Sequence, residues 1–296
     1  MTLATKPKSK LSFKPPKTAA PSRPKILLYG RPGVGKTWFA LDFPNVAYMD
    51  TEGGADLQHY TDKLEKAGGQ YLGPTDGTLD PAFVLSQVKA LASEQHGFKT
   101  LVIDSISKLF NCIVSQEAER LGDKDAFGAS KKPAVAFIRS LVNWVNRLDM
   151  NVLFIAHEKA TWVGDKQGPP TFDCWDKLEY ELHLCLHAER RAKERVAIVK
   201  KTRLTGFPES DVFALDYPSF SARYGKDLIE AEVHTVALAT EDQAAEFAKL
   251  AAALKLSPEA ITKALSLRGV EAFEDLEQLA AVEVLGKLRA QASTQL

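Results

Sequence analysis

Short apolar runs alternate with longer segments of helical periodicity through the first two thirds of the chain. Short runs bounded by turn residues are typical of buried strands, whereas apolar residues spaced three and four apart predict helices. We predict strands at 26–29, 46–50, 100–104, 151–156, 179–187 and 195–200, and helices from 36 to before 44, at 83–94 and at 133–148. This alternation predicts an α/β fold with a mostly parallel sheet flanked by helices, in which the last two strands form an antiparallel edge hairpin.

After residue 230 the pattern changes to helices alone. Thr240 is a suitable N-cap for the first of them, and Ser257 followed by Pro258 is a cap with a first-turn proline for the second. Gly269 can end that second helix. The predicted helices span 240–254, 257–269 and 275–290.

The first 24 residues are rich in Lys, Pro and Ser and poor in large apolar residues, which predicts disorder. Their cations, with no acid among them, are Lys6, Lys8, Lys10, Lys14, Lys17 and Arg23. Two interpretations stay open: a flexible polycation that holds nucleic acid, or a solvated tail. The predicted organisation is a basic disordered tail over 1–24, a core over 25–229 and a small helical C-terminal domain over 230–296.

Composition narrows the class of protein. Lys and Arg total 38, as do Asp and Glu, so the net charge of the whole chain gives no indication of nucleic-acid binding. No apolar run approaches the roughly 20 residues that span a bilayer, and the basic N-terminus lacks the apolar stretch of a secretory signal. We therefore expect no membrane partner. Three cysteines without a framework spacing favour a reducing, cytoplasmic location.

The segment from Gly30 to Thr37 matches the pattern G-x-x-x-x-G-K-[ST] between a predicted strand and a predicted helix. Glycines let backbone N–H groups wrap closely around phosphate oxygens, and the following helix points its positive end at the anion. We expect Lys36 to reach the β- and γ-phosphates of ATP, and the Thr37 hydroxyl to ligate Mg²⁺. The predicted nucleotide-binding residues are Gly30, Arg31, Pro32, Gly33, Val34, Gly35, Lys36, Thr37 and Trp38.

Two carboxylates follow predicted strands. Asp104 ends the strand at 100–104, and we expect it at the carboxyl edge of the sheet beside the first strand, holding Mg²⁺ directly or through water. The next residue is Ser105, where many P-loop ATPases place the glutamate that activates water. Glu52, just past the end of the second strand, is the alternative base, since a carboxylate there could orient and deprotonate the attacking water. The other interpretation is that Glu52 simply caps a loop.

Four segments resemble the RecA/RadA recombinase class, namely YMDTEG at 48–53, LVIDS at 101–105, AHE at 156–158 and KTR at 201–203. The resemblance is closer still to shorter phage-type RecA-like proteins for single-strand annealing, which are known as phage nucleotide-binding or AAA domain proteins. It covers roughly residues 25–206, and the helical tail more loosely. The glycine-rich loop looks more like the AAA+ version, but an AAA+ protein would carry Asp-Glu at 104–105, so the sequence favours a RecA-like P-loop core.

The resemblance implies roles for several residues. Glu52 would activate water, and His157 would sense the γ-phosphate, although it could also be an ordinary strand-end histidine. Lys201 and Arg203 would reach the γ-phosphate of a neighbouring subunit, although they could also be a charged strand end in solvent. The same resemblance implies a homo-oligomer, a ring or a filament, with a single-strand-binding protein as a further partner. A phage-encoded protein would work in the host cytoplasm.

Two segments, 122–132 and 158–175, each combine cations with an aromatic residue in a predicted loop. Such loops suit single-stranded nucleic acid, because the cations neutralise phosphates and bases can stack on the aromatic ring. Resembling proteins bind DNA through loops at these places, and two solvated loops are the alternative. The candidate DNA-binding residues are Lys124, Lys131, Lys132, Lys159, Trp162 and Lys166. We therefore expect an ATPase that binds single-stranded DNA in recombination or annealing. A replication accessory, such as a helicase or its loader, and a regulatory ATP-dependent module without nucleic acid stay open.

Overall fold

A computed structural model describes residues 22–54 and 57–295 of the protein. Its strands are β1 Lys25–Gly30, β2 Val46–Asp50, β3 Gln70–Leu72, β4 Thr100–Asp104, β5 Asn151–Lys159, β6 Trp162–Val163, β7 Lys166–Gln167, β8 Thr171–Phe172, β9 Leu184–Arg191, β10 Glu194–Thr202 and β11 Val212–Ala214. Its helices are α1 Lys36–Ala40, α2 Gln58–Lys66, α3 Pro81–Ser93, α4 Ile106–Leu121, α5 Lys131–Val145, α6 Leu178–Glu181, α7 Tyr217–Tyr224, α8 Lys226–Glu230, α9 Glu241–Ala253, α10 Pro258–Ser266 and α11 Gln278–Gln295. No helix in these residues is long and apolar enough to cross a membrane.

Strand β1, which precedes the glycine-rich loop, lies inside a nine-stranded sheet. The strand order is β11-β10-β9-β1-β5-β4-β2-β3, and β8 pairs with β5. Strand β1 is parallel to both neighbours, and β5, β4, β2 and β3 continue in the same direction. The predicted mostly parallel sheet is therefore confirmed. The expectation that Asp104 ends a strand beside β1 is wrong, because β5 lies between β1 and β4.

Helices cover both faces of this sheet, because successive residues of β1 enter different apolar clusters. Leu27 packs into a cluster that includes buried residues of α3, α4 and α5. Ile26 and Leu28 pack into a second cluster with buried residues of α1, α7 and α8. A strand that is buried on both faces has a continuous run of apolar residues, and this run is the reason that β1 could be predicted from the sequence.

The segment predicted as a strand over 179–187 begins instead as a helix. Helix α6 comes first, and β9 starts only at Leu184. Leu178 and Leu182 are both fully buried and stand four residues apart, so helical spacing prevails in this turn. Strands β9 and β10 pair antiparallel as predicted, but β11 adds outside β10, so the hairpin is not the edge of the sheet.

Helix α4 has no counterpart among the predicted helices, although its sequence carries the signals. The Ser105 hydroxyl caps its first turn by accepting a hydrogen bond of 3.1 Å from the Lys108 N–H. Its buried apolar residues follow at spacings of three and four, and they are Ile106, Leu109, Phe110 and Ile113. Helices α2, α7 and α8 and strands β3 and β11 were likewise absent from the prediction.

The C-terminal helices have an apolar cluster of their own, built mainly from α9, α10, α11 and the turn before α11. Thr240 caps α9 in a capping box: its hydroxyl accepts from the Gln243 N–H at 3.2 Å, and the Gln243 side chain accepts from the Thr240 N–H at 2.9 Å. Ser257 caps α10 with a single hydrogen bond, since its hydroxyl accepts from the Ala260 N–H at 3.2 Å. The three predicted helices are thus present, and the domain boundary at 229/230 stays a prediction.

Order begins before residue 25, at the end of the segment predicted to be disordered. Arg23 is only 6% exposed, forms an ion pair of 3.3 Å with Asp149, and donates to backbone carbonyl groups at 228–232. A buried guanidinium with this many acceptors fastens the chain rather than binding a partner, so including Arg23 in a flexible polycation was wrong. Residues 1–21 of the predicted tail, which include its five lysines, lie outside the described residues.

Candidate functional site

The glycine-rich loop between β1 and α1 turns at two glycines. Gly33 and Gly35 have φ of 74° and 100°, in the left-handed region that favours glycine. The Lys36 side chain lies back over the loop, and its Nζ donates hydrogen bonds of 2.8 Å to the Gly30 carbonyl and 3.0 Å to the Arg31 carbonyl. The ammonium is therefore held at the point around which the loop curves.

Asp104, at the end of β4, contacts this loop although β5 separates the two strands. Its Oδ2 accepts hydrogen bonds from the Thr37 hydroxyl at 2.6 Å and from the Tyr48 hydroxyl at 2.7 Å. Burial raises the pKa of Asp104, while these two donors act in the opposite direction. Burial likewise lowers the pKa of Lys36, and the nearby Asp104 carboxylate opposes that shift. A cation, a hydroxyl and a carboxylate thus meet at one edge of the sheet.

The oxygen atoms of Thr37 and Asp104 fit a magnesium ion. Mg²⁺ prefers hard oxygen ligands, and in nucleotide sites it takes one or two from the protein and the rest from water and phosphates. The described residues contain no cluster of three His, Cys, Asp or Glu side chains that could hold a metal ion alone. The Thr37 hydroxyl and the Asp104 carboxylate, 2.6 Å apart, could supply the one or two protein oxygens that such an ion takes.

Glu52 is positioned by the end of β2. The Asp50 Oδ1 accepts hydrogen bonds from the Glu52 N–H at 2.7 Å and from the Gly53 N–H at 2.9 Å, so the chain turns directly after the strand. The turn brings the Glu52 Oε1 to 2.5 Å from the Ser105 hydroxyl and to 2.5 Å from Nε2 of His157. The carboxylate, serine and histidine come from three different strand ends and meet beside Asp104.

The Glu52 and His157 side chains shift the pKa of each other in opposite directions. The hydrogen bond from His157 lowers the pKa of Glu52, and burial opposes this shift in part. The hydrogen bond to Glu52 raises the pKa of His157, again against burial. Both side chains remain partly exposed, at 39% for Glu52 and 45% for His157, so water can reach the pair. The pair therefore favours an ionised carboxylate next to a protonated imidazole.

Lys201 and Arg203 lie at the opposite edge of the sheet from the glycine-rich loop. The Arg203 N–H donates to the His183 carbonyl, and the His183 N–H donates to the Lys25 carbonyl at the start of β1. Five residues of strand separate this level from Gly30, which is about 16 Å at 3.3 Å per residue. The Lys201 ammonium donates to the Leu182 carbonyl within the same chain. Action on a neighbouring subunit stays a prediction. It would require this edge of one subunit to face the glycine-rich loop of the next.

The candidate DNA-binding residues differ in their surroundings. Trp162 is 67% exposed on the β6–β7 hairpin, where Lys166 is also exposed. Lys124 is exposed in a short 3₁₀ turn, and Lys131 and Lys132 are exposed at the start of α5. Lys159 instead forms ion pairs with two acids, Asp176 at 3.2 Å and Asp173 at 3.9 Å, so its charge is already balanced.

Sequence reasoning missed residues that shape this edge. Tyr48 alternates with Asp50 along β2 and so shares its face, a signal that the strand pattern contained. Glu158 joins the loop to the sheet, because its carboxylate contacts Arg31 at 3.4 Å and the buried His187 at 2.8 Å. That second arrangement reaches across β1 from β5 to β9, so it depends on a strand order that the sequence does not reveal.

One of three comparisons with known proteins shows the family of this chain. A family model described as AAA domain matches residues 22–206, more than half of the chain. Among solved structures, the crystal structure of the RadB recombinase matches with 17% sequence identity and a TM-score of 0.38, over 64% of this chain and 84% of that chain. A comparison with curated proteins finds no match.

Proposed function

Because the chain belongs to the AAA domain family, we propose that it binds ATP with Mg²⁺, hydrolyses it, and couples this cycle to single-stranded DNA in recombination or annealing. One observation carries the hydrolytic part of the proposal. Lys36, the Thr37–Asp104 pair and the Glu52–His157 pair lie together at one edge of the sheet. These are the charges that a nucleoside triphosphate, its metal and an attacking water require.

The loop residues hold the nucleotide. Backbone N–H groups at 33–37 would surround the phosphate oxygens, and Lys36 would exchange its two carbonyl partners for β- and γ-phosphate oxygens. Thr37 and Asp104 would hold Mg²⁺, which when bound neutralises charge on the β- and γ-phosphates. The Thr37–Asp104 hydrogen bond prepares this position, since it fixes both oxygen donors before the nucleotide arrives.

Glu52 is the proposed general base. Its Oε1 is occupied by Ser105 and His157, while its Oε2 makes no hydrogen bond within residues 22–54 and 57–295. The fixed oxygen orients the carboxylate, and the other can accept a proton from water. The lowered pKa of Glu52 keeps the carboxylate ionised at neutral pH, so it can orient water from the start of the cycle.

The His157→Gln variant tests this arrangement through its pH profile. Loss of the imidazole removes the main cause of the lowered pKa of Glu52, so that pKa should rise toward its ordinary value. A base is lost as the pH falls through its pKa, so the acid limb of the ATPase pH–rate profile should move to higher pH in the variant. The control is His234→Gln, at an exposed histidine that contacts Asp149. If the acid limb does not move in His157→Gln, then ionisation of Glu52 does not control the ATPase rate.

The DNA-binding part of the proposal is supported by exposed cations and an exposed tryptophan on the described loops. Trp162 offers a free aromatic face for base stacking, and Lys166 lies beside it on the same hairpin. The exposed lysines at 124, 131 and 132 could neutralise phosphates. Lys159 contributes least, since Asp176 already balances its charge.

Single-stranded DNA binding should weaken in Trp162→Ala and become less dependent on salt in Lys166→Ala. Loss of one stacked base costs about 1–3 kcal/mol, and loss of one phosphate contact lowers the slope of log K against log[salt] by about 0.7. Fluorescence anisotropy of a labelled oligonucleotide over a salt series measures both effects. Lys263→Ala, in helix α10, is the matched control for charge. If the wild-type protein binds no oligonucleotide at low salt, the DNA-binding part of the proposal is wrong and the proposed ATPase activity is unaffected.

A further inference from the structure

The β9–β10 hairpin carries basic residues to the edge of the sheet where the glycine-rich loop lies. Strand β9 runs parallel to β1, with Ala188 opposite Gly30, and continues past the end of β1. Arg190 and Arg195 face each other across the hairpin in this extension. They stand on the side of β1 that is opposite β5, β4 and β2, and therefore opposite Asp104 and Glu52.

The Arg195 side chain packs against the loop itself. A Cβ placed on Gly35 would lie 2.6 Å from Nη1 of Arg195 and 2.9 Å from its Cδ, so the guanidinium occupies the space that a side chain at this position would need. The backbone of Arg195 is fixed, because its carbonyl accepts a hydrogen bond of 2.9 Å from the Leu215 N–H on the far side. Gly35 thus serves two needs, a left-handed turn and room for a cation.

A cleft of about 340 Å³ opens between this arginine and the loop. Its lining includes Gly35 and Thr37 of the loop and helix start, Arg190 and Arg195 of the hairpin, and the aromatic residues Trp38 and Tyr60. The cleft therefore continues from the phosphate-binding loop toward an aromatic surface. Its dimensions and its mixture of cations and rings suit the inner phosphates and the nucleoside of a nucleotide.

The two arginines in this cleft differ from their neighbour Arg191 in their charge partners. Neither Arg190 nor Arg195 forms an ion pair within residues 22–54 and 57–295, whereas Arg191 on the same hairpin pairs with Glu189 at 3.4 Å. Like charges directly opposite each other on neighbouring strands are unfavourable. An anion between the two guanidinium groups would relieve that repulsion, and a polyphosphate on the loop would supply it.

We propose that Arg195, with Arg190 beside it, binds the nucleotide in the chain that also supplies the glycine-rich loop. The contact falls on the α- and β-phosphates, because Asp104 and Glu52 mark the γ-phosphate end on the other side of β1. The inference rests on the proposed ATP binding and adds a residue from a distant part of the sequence. It also supplies a cation at this edge that does not depend on a neighbouring subunit.

The test is the affinity for ADP and for ATP in Arg195→Gln, measured by titration calorimetry beside Arg191→Gln. Glutamine keeps most of the side-chain stem, and Arg191 is the matched control because it lies on the same hairpin outside the cleft. We expect Arg195→Gln to weaken ADP and ATP alike by about tenfold to a hundredfold, the value of a charge-assisted hydrogen bond. Arg191→Gln should bind both as wild type, and Arg195→Lys should recover part of the loss.

Equal affinities in Arg195→Gln and Arg191→Gln would overturn the inference. A loss confined to ATP would also overturn it, since it would place Arg195 on the γ-phosphate. Wild-type protein that binds neither nucleotide would instead refute ATP binding itself, and the inference with it. Urea unfolding of both variants separates a weakened fold from a weakened site. A stably folded Arg195→Lys protein that recovers part of the lost affinity would confirm that the nucleotide needs a positive charge at this position.

Discussion

Lys36→Ala should reduce the affinity for ATP by about a hundredfold or more. The Lys36 ammonium now donates to two carbonyl oxygens of its own loop, and on binding it would donate to two phosphate oxygens instead. Hydrogen bonds to charged groups contribute about 1.5–3 kcal/mol each, so removal of both contacts leaves little binding at micromolar ATP. Titration of a fluorescent ATP analogue measures the loss directly.

The matched control for Lys36→Ala is Lys66→Ala, the same change at an exposed lysine that ends α2. This variant should bind ATP as wild type. Removal of the Lys36 side chain also frees the Gly30 and Arg31 carbonyls, so the unfolding midpoint of both variants must be measured. A folded Lys36→Ala protein that binds the analogue as wild type does would remove the foundation of the proposed function.

The local parts of this site could be predicted from the sequence because their geometry is short-range. A glycine-rich loop between a strand and a helix places Lys36 and Thr37 with no information from the rest of the chain. The strand-end positions of two carboxylates were also predictable, since Asp104 ends one apolar strand and Glu52 closely follows another. Secondary structure is harder to predict where a segment fits both a strand pattern and a helix pattern. Helix α6 replaced an expected strand because two buried leucines stand four residues apart.

The order of strands in the sheet could not be predicted, and it decides which distant residues meet. Insertion of β5 between β1 and β4 brings His157 between the loop and Asp104, although Thr37 still reaches that carboxylate. The direction of β10 likewise decides which of its basic residues lie near the loop. It carries Arg195 to the loop and Lys201 with Arg203 to the opposite edge. In the sequence, Arg195 begins the strand predicted over 195–200, and Lys201 and Arg203 follow its end, with no indication of which of them reaches the loop.

Charge partners were also invisible in the sequence. Lys159 and Lys166 look alike in a basic loop, but Asp176 balances the first and no described residue forms an ion pair with the second. Arg23 looked like part of a basic tail, yet it is buried against five backbone and side-chain acceptors. Residue type indicates which chemistry a side chain can perform, whereas the fold decides whether that side chain is available to perform it.

Glu52→Gln should leave ATP affinity unchanged and lower the turnover rate by about a hundredfold to ten-thousandfold, the usual contribution of a general base. Glutamine fills the same space and can still accept from Ser105, so the turn after β2 should persist. It cannot take a proton from water, and it carries no charge to hold a protonated His157. A rate defect without a binding defect is therefore expected.

The control for Glu52→Gln is Glu65→Gln, at an exposed glutamate of α2, which should turn over ATP as wild type. Binding is measured with the fluorescent analogue and turnover by phosphate release at saturating ATP, so the two effects cannot be confused. The acid limb that reports Glu52 should also disappear from the residual rate of the variant. Turnover at the wild-type rate would exclude Glu52 as the base. The next carboxylate to replace would then be Glu158, which follows His157 on β5 and already contacts Arg31 of the loop.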